Sequence, residues 1–341
     1  MQSAGHMYGD TLFVMTESGP TTSIEVKNDL LTRQECIDAL TSVKQHVCSL
    51  FPFRTVQERE NFVADIDRTL GAEELSMPVS VLVEKIRVVL SSLKNSHTKL
   101  RISGMSTSEE EQDMERLKPE ALLQSEMLPN NIGYLKIDAW SSKKNDDGKD
   151  VGDLAEEALQ RLRGAKAIII DVRDNGGGDS SIASKVAGHF LNTETPFARI
   201  LIRRGPTDLA LDESVARVEP RAPFIDLPLV VLIGPKCLSS NEMFILILKD
   251  TGRATAIGQK THGGSGNPQV SPLTLGAKKY ELLVSTWLLK RMDGQELEGV
   301  GIRPDIAIET TPGVDAEGGA DVVLDKAKEH INAIPQGVAE M

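Results

Sequence analysis

The amino-acid sequence predicts an α/β fold with a helical region ahead of the sheet, on three observations. From Ile132 onward, short apolar segments of strand length alternate with amphipathic segments of helical period, the pattern of a sheet whose strands are joined through helices. One segment, Ala167 to Val172 (AIIIDV), is apolar apart from its aspartate, as in a strand buried on both faces. Before residue 100 the apolar positions recur at intervals of three and four instead of two, which is helical spacing.

Taken in order, Thr32 with Glu35 forms a T-x-x-E capping box, and Ile37, Leu40, Val43, Val47 and Leu50 follow on one helical face. A second helix is predicted over Val56 to Leu70. A third begins near Val79, with Val81, Val83, Ile86, Val89 and Leu93 as its apolar face. Residues 1–100 are therefore expected to form an N-terminal helical domain. Residues 101–130, polar and acidic from Ser106 on, read as a connector with one short helix. A catalytic-type core over 131–341 is expected to contain a strand at Ile132 to Ile137, a helix at Val151 to Leu162 and the AIIIDV strand. Then come a helix at Ser180 to Leu191 and strands at Phe197 to Ile202 and Leu229 to Ile233. A helix from Met243, a short strand at Thr255 to Gly258, a hairpin arm at Lys278 to Leu288 and a closing helix at Ala320 to Ala333 complete it.

Of the 341 residues, 40% are hydrophobic and 26% charged, as in soluble globular chains, and the net charge of −12 argues against general nucleic-acid or anionic-membrane binding. No stretch approaches the roughly 20 apolar residues of a membrane-spanning helix. Three cysteines (Cys36, Cys48, Cys237) are too few and too scattered for a disulfide framework or a zinc site. The first fifteen residues lack the basic segment of a signal peptide, so the cytoplasm is the expected compartment.

Two turns carry the chemistry. After the Leu229–Ile233 strand, a Gly-Pro break leads to Ser239, Ser240, Asn241 and Glu242 and then to an apolar helix. A hydroxyl between a buried strand and a helix N-terminus lies beside free N–H donors, the position of a serine nucleophile in acyl transfer. The same residues also suit an ordinary helix cap. After AIIIDV comes R-D-N-G-G-G (173–178). Its glycines allow close approach of the backbone, and their amides could stabilise an anion. It matches neither G-x-G-x-x-G nor the P-loop, so an oxyanion hole fits better than a nucleotide site. A tight structural turn with Asp171 and Arg173 paired is the competing explanation.

DVRDNGGG, the strand-to-SSNE turn, GQKTHGGSG (258–266) and ELEGVGIRPDI (296–306) occur in the order found in the S41 family of serine peptidases. That family includes tail-specific processing proteases, the tricorn core protease and interphotoreceptor retinoid-binding modules. NSHTKL (95–100) resembles the segment that closes the family's N-terminal helical region. The resemblance implies a crotonase-like (ClpP/crotonase-type) α/β core. It also implies Ser239 as nucleophile, with Ser240 as competitor, and an oxyanion hole from the amides of Ser240 and Gly177. Each such donor is worth about 3 kcal/mol in the transition state.

Tail-specific relatives activate their serine with a lysine in G-x-x-T-x-G-K-G. Here Gly264 stands at that position and Lys260 comes four residues earlier. The sequence is closer to the tricorn-type arrangement, which implies His97 as general base, oriented by Ser96 and Glu298, with no metal or cofactor. Gly176, Gly178, His262 and Gly264 are candidate groove residues. Residues 105–130 are too few for the PDZ domain of many relatives and lack its strand pattern. The expected partner is a peptide or protein substrate. The competing expectation is a non-catalytic module that binds an apolar ligand, as the retinoid-binding members do on the same fold. A crotonase-type acyl-CoA enzyme fits the S-x-x-E turn and GVGIRPD less well.

Overall fold

The computed structural model describes residues 29–71, 76–104, 117–309 and 321–334, and the backbone of three short strands before them. Those strands are β1 (Gly5–Tyr8), β2 (Thr11–Val14) and β3 (Thr22–Glu25), an antiparallel meander. Next come β4 (Leu30–Leu31), α1 (Arg33–Leu50), α2 (Val56–Leu70), β5 (Met77–Pro78), α3 (Val79–Ser91) and β6 (Lys99–Ile102). A 3-10 turn at Pro119–Leu122 leads into β7 (Leu123–Leu128) and β8 (Ile132–Ile137). These are followed by α4 (Val151–Arg161), β9 (Ala167–Asp171), α5 (Ser180–Gly188), β10 (Thr195–Arg203), β11 (Leu211–Val218) and β12 (Leu229–Ile233). The last elements among the described residues are α6 (Ser240–Lys249), β13 (Thr255–Gly258), β14 (Gln269–Leu275), β15 (Lys278–Val284), β16 (Trp287–Arg291), β17 (Ile306–Ala307) and α7 (Val322–Ala333).

The central sheet has the order β17-β13-β12-β9-β8-β7, parallel throughout except for the antiparallel edge strand β7. Because side chains alternate along a strand, its two faces fill different cores. Leu135, Ile137, Ile168, Ile170, Val231 and Ile233 pack with α4, α5 and α6. Ile132, Tyr134, Ile169, Val230 and Leu232 pack with Val323, Ala327 and Ile331 of α7. Both faces are covered, which is why AIIIDV and LVVLI read as unbroken apolar runs. All five residues of β9 and of β12 are buried. Arg173 pairs with Asp171 and with Asp321, the N-cap of α7, so this arginine ties the end of β9 to the last helix.

The helices before residue 100 do not close a core alone. Leu40, Val43, Val47, Ile66, Leu82, Ile86 and Leu90 share a cluster with Leu273, Leu275, Tyr280, Leu282 and Val284 of the β14–β15 hairpin. That hairpin forms a sheet with β6 in the order β14-β15-β6. The Thr32–Glu35 capping box is present.

Three details differ from the sequence expectation. Val81 faces outward on α3, whose buried side includes Leu82 and Leu90 instead. Within the segment read as a connector, Leu123–Leu128 is the edge strand β7; Leu123 and Ser125 are half-buried while Gln124 and Glu126 are exposed, the alternation of a half-exposed strand. Residues 105–116 lie outside the described part. Strands β10, β11 and β16 form a separate antiparallel sheet in the order β11-β10-β16. Of its strands only β10 stands out in the sequence, because β11 is exposed on most positions and β16 follows β15 without a turn signal. Among the described residues, no helix is long and apolar enough to cross a membrane.

Candidate active site

Ser239 ends the loop after β12 with φ +61° and ψ −129°, a conformation that residues bearing a β-carbon rarely adopt. Its hydroxyl makes no capping hydrogen bond, so the ordinary-cap explanation fails for this residue. Strain of this kind costs on the order of 1–3 kcal/mol and persists only where the surroundings enforce it. Here they do. The Ser239 amide donates to Gly264 O at 2.9 Å. The Gly177 α-carbon lies so close that a β-carbon there would meet Ser239 Cβ at 2.8 Å. Ser240, the competing nucleophile, is 3% exposed and its buried hydroxyl has no partner among the described residues. That burial makes Ser239 the reachable hydroxyl. Cys237 is fully buried, burial pushes its thiol pKa strongly up, and its Sγ donates to Val172 O at 3.1 Å.

The glycine-rich turn is held to the helix by two asparagines. Asn241 Nδ2 donates to Val172 O (3.1 Å) and Asn175 O (3.0 Å), and its Oδ1 accepts from Trp140 Nε1 (3.2 Å). Asn175 Nδ2 donates to Ile137 O, while its Oδ1 accepts from the Gly177 amide at 2.8 Å. This last bond corrects the expectation that Gly177 N–H faces an oxyanion, because the amide is already engaged. Gly178 is exposed. Trp140 donates to Gly177 O and accepts from the Asp179 amide, which turns the intervening Gly178 N–H away from Trp140. Gly178 has φ +128° and a β-carbon there would overlap Trp140 O, so only glycine fits. A β-carbon at Gly176 would meet nothing.

The loop after β13 is pinned by two buried carboxylates. Glu242, in the first turn of α6, accepts from Gly263 N (2.9 Å), Gly264 N (2.7 Å) and the Thr261 hydroxyl. Glu298 accepts from Ser265 N at 2.8 Å and from Asn95 Nδ2 at 2.9 Å. Three successive amides thus point at carboxylates. Burial raises Glu242 to about 7 against the pull of those donors, and raises Glu298 to about 8, with Glu242 adding to the second effect.

Ser96 and His97 enter between these loops. Ser96 Oγ lies 3.2 Å from His97 Nδ1. A β-carbon on Gly264 would overlap Ser96 Oγ, and one on Gly266 would lie 2.9 Å from His97 Cβ. A lysine at 264 is therefore excluded by the very serine that supports the histidine. The loop that accepts the Ser239 amide also packs on Ser96 and His97, which brings all three to one place. No hydrogen bond joins Ser239 to His97 among those of the described residues. Burial, with Lys99 and His262 nearby, lowers His97 to about 4, so its imidazole is neutral at pH 7.

Glu298 is brought to the site but does not touch the imidazole; its link to that segment runs through Asn95, correcting the expectation of direct contact. His262 is exposed, anchored through its amide to Cys237 O, and Lys260 is exposed. Sequence reasoning missed Asn95, Asn175, Asn241 and Trp140. The asparagines stand inside the quoted motifs, yet an amide's role is visible only once its partners, up to 203 residues away, are known.

Comparison with known proteins gives the family and the fold. The profile of Peptidase family S41 matches residues 131–308. The carboxy-terminal processing protease CtpA of Bacillus subtilis is 26% identical over 191 residues, covering 56% of this chain and 38% of its own length. A probable CtpA-like serine protease of Staphylococcus epidermidis is 26% identical over 181 residues, 53% of this chain and 34% of its own. The chain thus spans little more than a third of the length of the curated relatives it matches. Among solved structures, a putative peptidase from Parabacteroides merdae superposes with a TM-score of 0.68 at 21% identity, covering 89% of this chain and 98% of that one. Mature CPAF complexed with lactacystin gives 0.64 at 11% identity (88% and 97%), and the tricorn protease 0.56 at 14% (94% and 39%). At these identities the structures establish the shared α/β fold, which is the fold class expected from the sequence.

Proposed function

The chain belongs to peptidase family S41, and on that premise we propose that it is a serine peptidase that hydrolyses peptide bonds through an acyl-enzyme on Ser239. The observation that carries this reading is the strained, uncapped Ser239 at a helix N-terminus. In the proposed cycle His97 Nδ1–H donates to Ser96 Oγ, leaving Nε2 free to take the Ser239 proton and return it to the leaving amine. A base that is neutral above about pH 4 is competent throughout the physiological range. The tetrahedral oxyanion is received by the Ser240 amide, the first of α6, and by the Gly178 amide, in place of the engaged Gly177. Glu298 supports the histidine segment from one bond further away. Water then attacks the acyl-enzyme with His97 again as base.

The substrate class is a polypeptide. The Bacillus subtilis relative is named for carboxy-terminal processing, and cleavage near polypeptide C-termini is the form of this activity to test first. Incubation with a fluorophosphonate probe, followed by peptide mass spectrometry, is expected to place the adduct on Ser239 and to lose it in His97→Ala. An adduct elsewhere, or none alongside tight binding of an apolar ligand, would overturn the peptidase reading.

A further inference from the structure

We infer that Asn95 is the positioning residue that couples Glu298 to the base His97, an inference that rests on the reading of His97 as the base of Ser239. Asn95 is 7% exposed and uses both halves of its carboxamide. Its Oδ1 accepts from the His97 amide (3.1 Å) and from Thr98 Oγ1 (3.1 Å), while Nδ2 donates to Glu298 Oε1 (2.9 Å). Thr98 Oγ1 accepts in turn from the Ser285 amide at 3.0 Å, and the other oxygen of Glu298 accepts from the Ser265 amide. One side chain therefore joins the segment carrying the base, the end of β15, the loop that holds the Ser239 amide, and the glutamate.

The bond to His97 is made to its main chain. It fixes where the α-carbon sits, and Ser96 Oγ on Nδ1 then fixes the ring. Errors of about 1 Å in the placement of a reacting group reduce rates on the order of 100-fold, so the hydrogen bonds that set the His97 backbone bear on the chemistry although none touches the substrate. A simpler role is open to any such asparagine: its Oδ1 accepting from the amide two residues on makes an Asx-turn, which orders the chain locally. The two roles need different atoms. The Asx-turn needs only Oδ1, which aspartate also supplies. Coupling to Glu298 needs the Nδ2 donor, which aspartate lacks.

Asn95→Asp accordingly keeps the turn but loses the donor. At about pH 9, above the value of about 8 to which burial raises Glu298, it also sets two carboxylates against each other. Glu298→Gln cannot accept from Asn95 and Ser265 at once, and all variants are therefore compared at that pH. Combining the two substitutions restores every bond with the charge moved. The introduced carboxylate then accepts from His97, Thr98 and the introduced glutamine amide, whose own oxygen accepts from Ser265. The test is the rate of Ser239 modification by the fluorophosphonate, resolved into its maximal rate and its half-saturating concentration, in wild type, Asn95→Asp, Glu298→Gln, the double variant and His97→Ala. The maximal rate is expected to fall about 10- to 100-fold in each of the first two single variants, with half-saturation unchanged, and to recover in the double variant. A wild-type rate in Asn95→Asp, or a double variant no faster than the singles, overturns the inference. So does a loss that appears only at temperatures where each variant has begun to unfold, which marks a purely structural turn. If His97→Ala reacts like wild type, the base assignment itself fails and takes this inference with it.

Discussion

Ser239 holds its φ of +61° without the hydrogen bond that would make it a helix cap, so its backbone stores energy that a cap would not. Glycine adopts such angles at no steric cost, whereas alanine retains the conflict between its β-carbon and the backbone. Ser239→Gly and Ser239→Ala should both abolish labelling, yet differ in stability. Relief of on the order of 1–3 kcal/mol of strain, less the roughly 0.5–1 kcal/mol by which glycine favours the unfolded chain, leaves the glycine variant more stable by about 1 kcal/mol. Urea denaturation of the two proteins measures this directly. An alanine variant as stable as the glycine one would mean that Ser239 is unstrained, and would remove the main structural sign of a nucleophile.

The loop between β13 and β14 is the element that assembles the site, and its geometry depends on two carboxyl groups. Glu242 and Glu298 together receive the amides of Gly263, Gly264 and Ser265. In the unfolded chain a glutamate titrates near its ordinary value of 4.5, but burial moves these to about 7 and about 8. Between pH 4.5 and 8 the folded protein therefore retains protons that the unfolded chain has lost, and stability falls as pH rises through that window. For a shift of the size at Glu298 the ceiling is on the order of 5 kcal/mol. The thermal midpoint should decline from about pH 5 to about pH 9, and Glu298→Gln, which removes one titrating group, should decline less steeply. Parallel curves for the two proteins would show that Glu298 is not held in the raised state. This element also shows how far the sequence could be read. Thr261, Gly263 and Gly264 stood out by their pattern, and the missing lysine argued against a Ser-Lys dyad. That Gly264 makes room for Ser96 required the packing, because nothing in a sequence shows which side chain fills the space beside a glycine. The Gly177 amide was misassigned for a similar reason: a glycine run offers several donors, and only the Asn175 carboxamide shows which is taken. Strands with a continuous apolar run were legible because both their faces are buried, whereas the exposed positions of β7 place it within the connector and those of β11 leave it unassigned.

At the scale of the molecule, the proposed base and nucleophile lie beside different hydrophobic cores. Ser239 opens α6, whose residues pack with α4, α5 and the central sheet. His97 lies between α3 and β6, in the region where helices and the β14–β15 hairpin share a core. The two are joined by the loop running from β13 to β14, by Asn95 with Glu298, and by the ion pair of Arg54 with Glu296 at 2.9 Å. Because the hairpin follows the β13–β14 loop in sequence yet completes the core of the helices before it, the spacing of Ser239 and His97 depends on a strand pairing between distant parts of the chain (Leu100 with Leu282). Leu282 is 1% exposed in that core, and Leu282→Ala should cost about 2–5 kcal/mol through lost contact and cavity. If each core opens as its own cooperative unit, hydrogen exchange in this variant will quicken in α1, α3 and β15 while β9, β12 and α6 keep their protection. Modification of Ser239 should slow in step, because that unit carries the proposed base His97. Exchange that rises equally in β9 and α6 would show instead that the two cores unfold as one, and the placement of His97 would then be a property of the whole chain and not of the hairpin that completes its core.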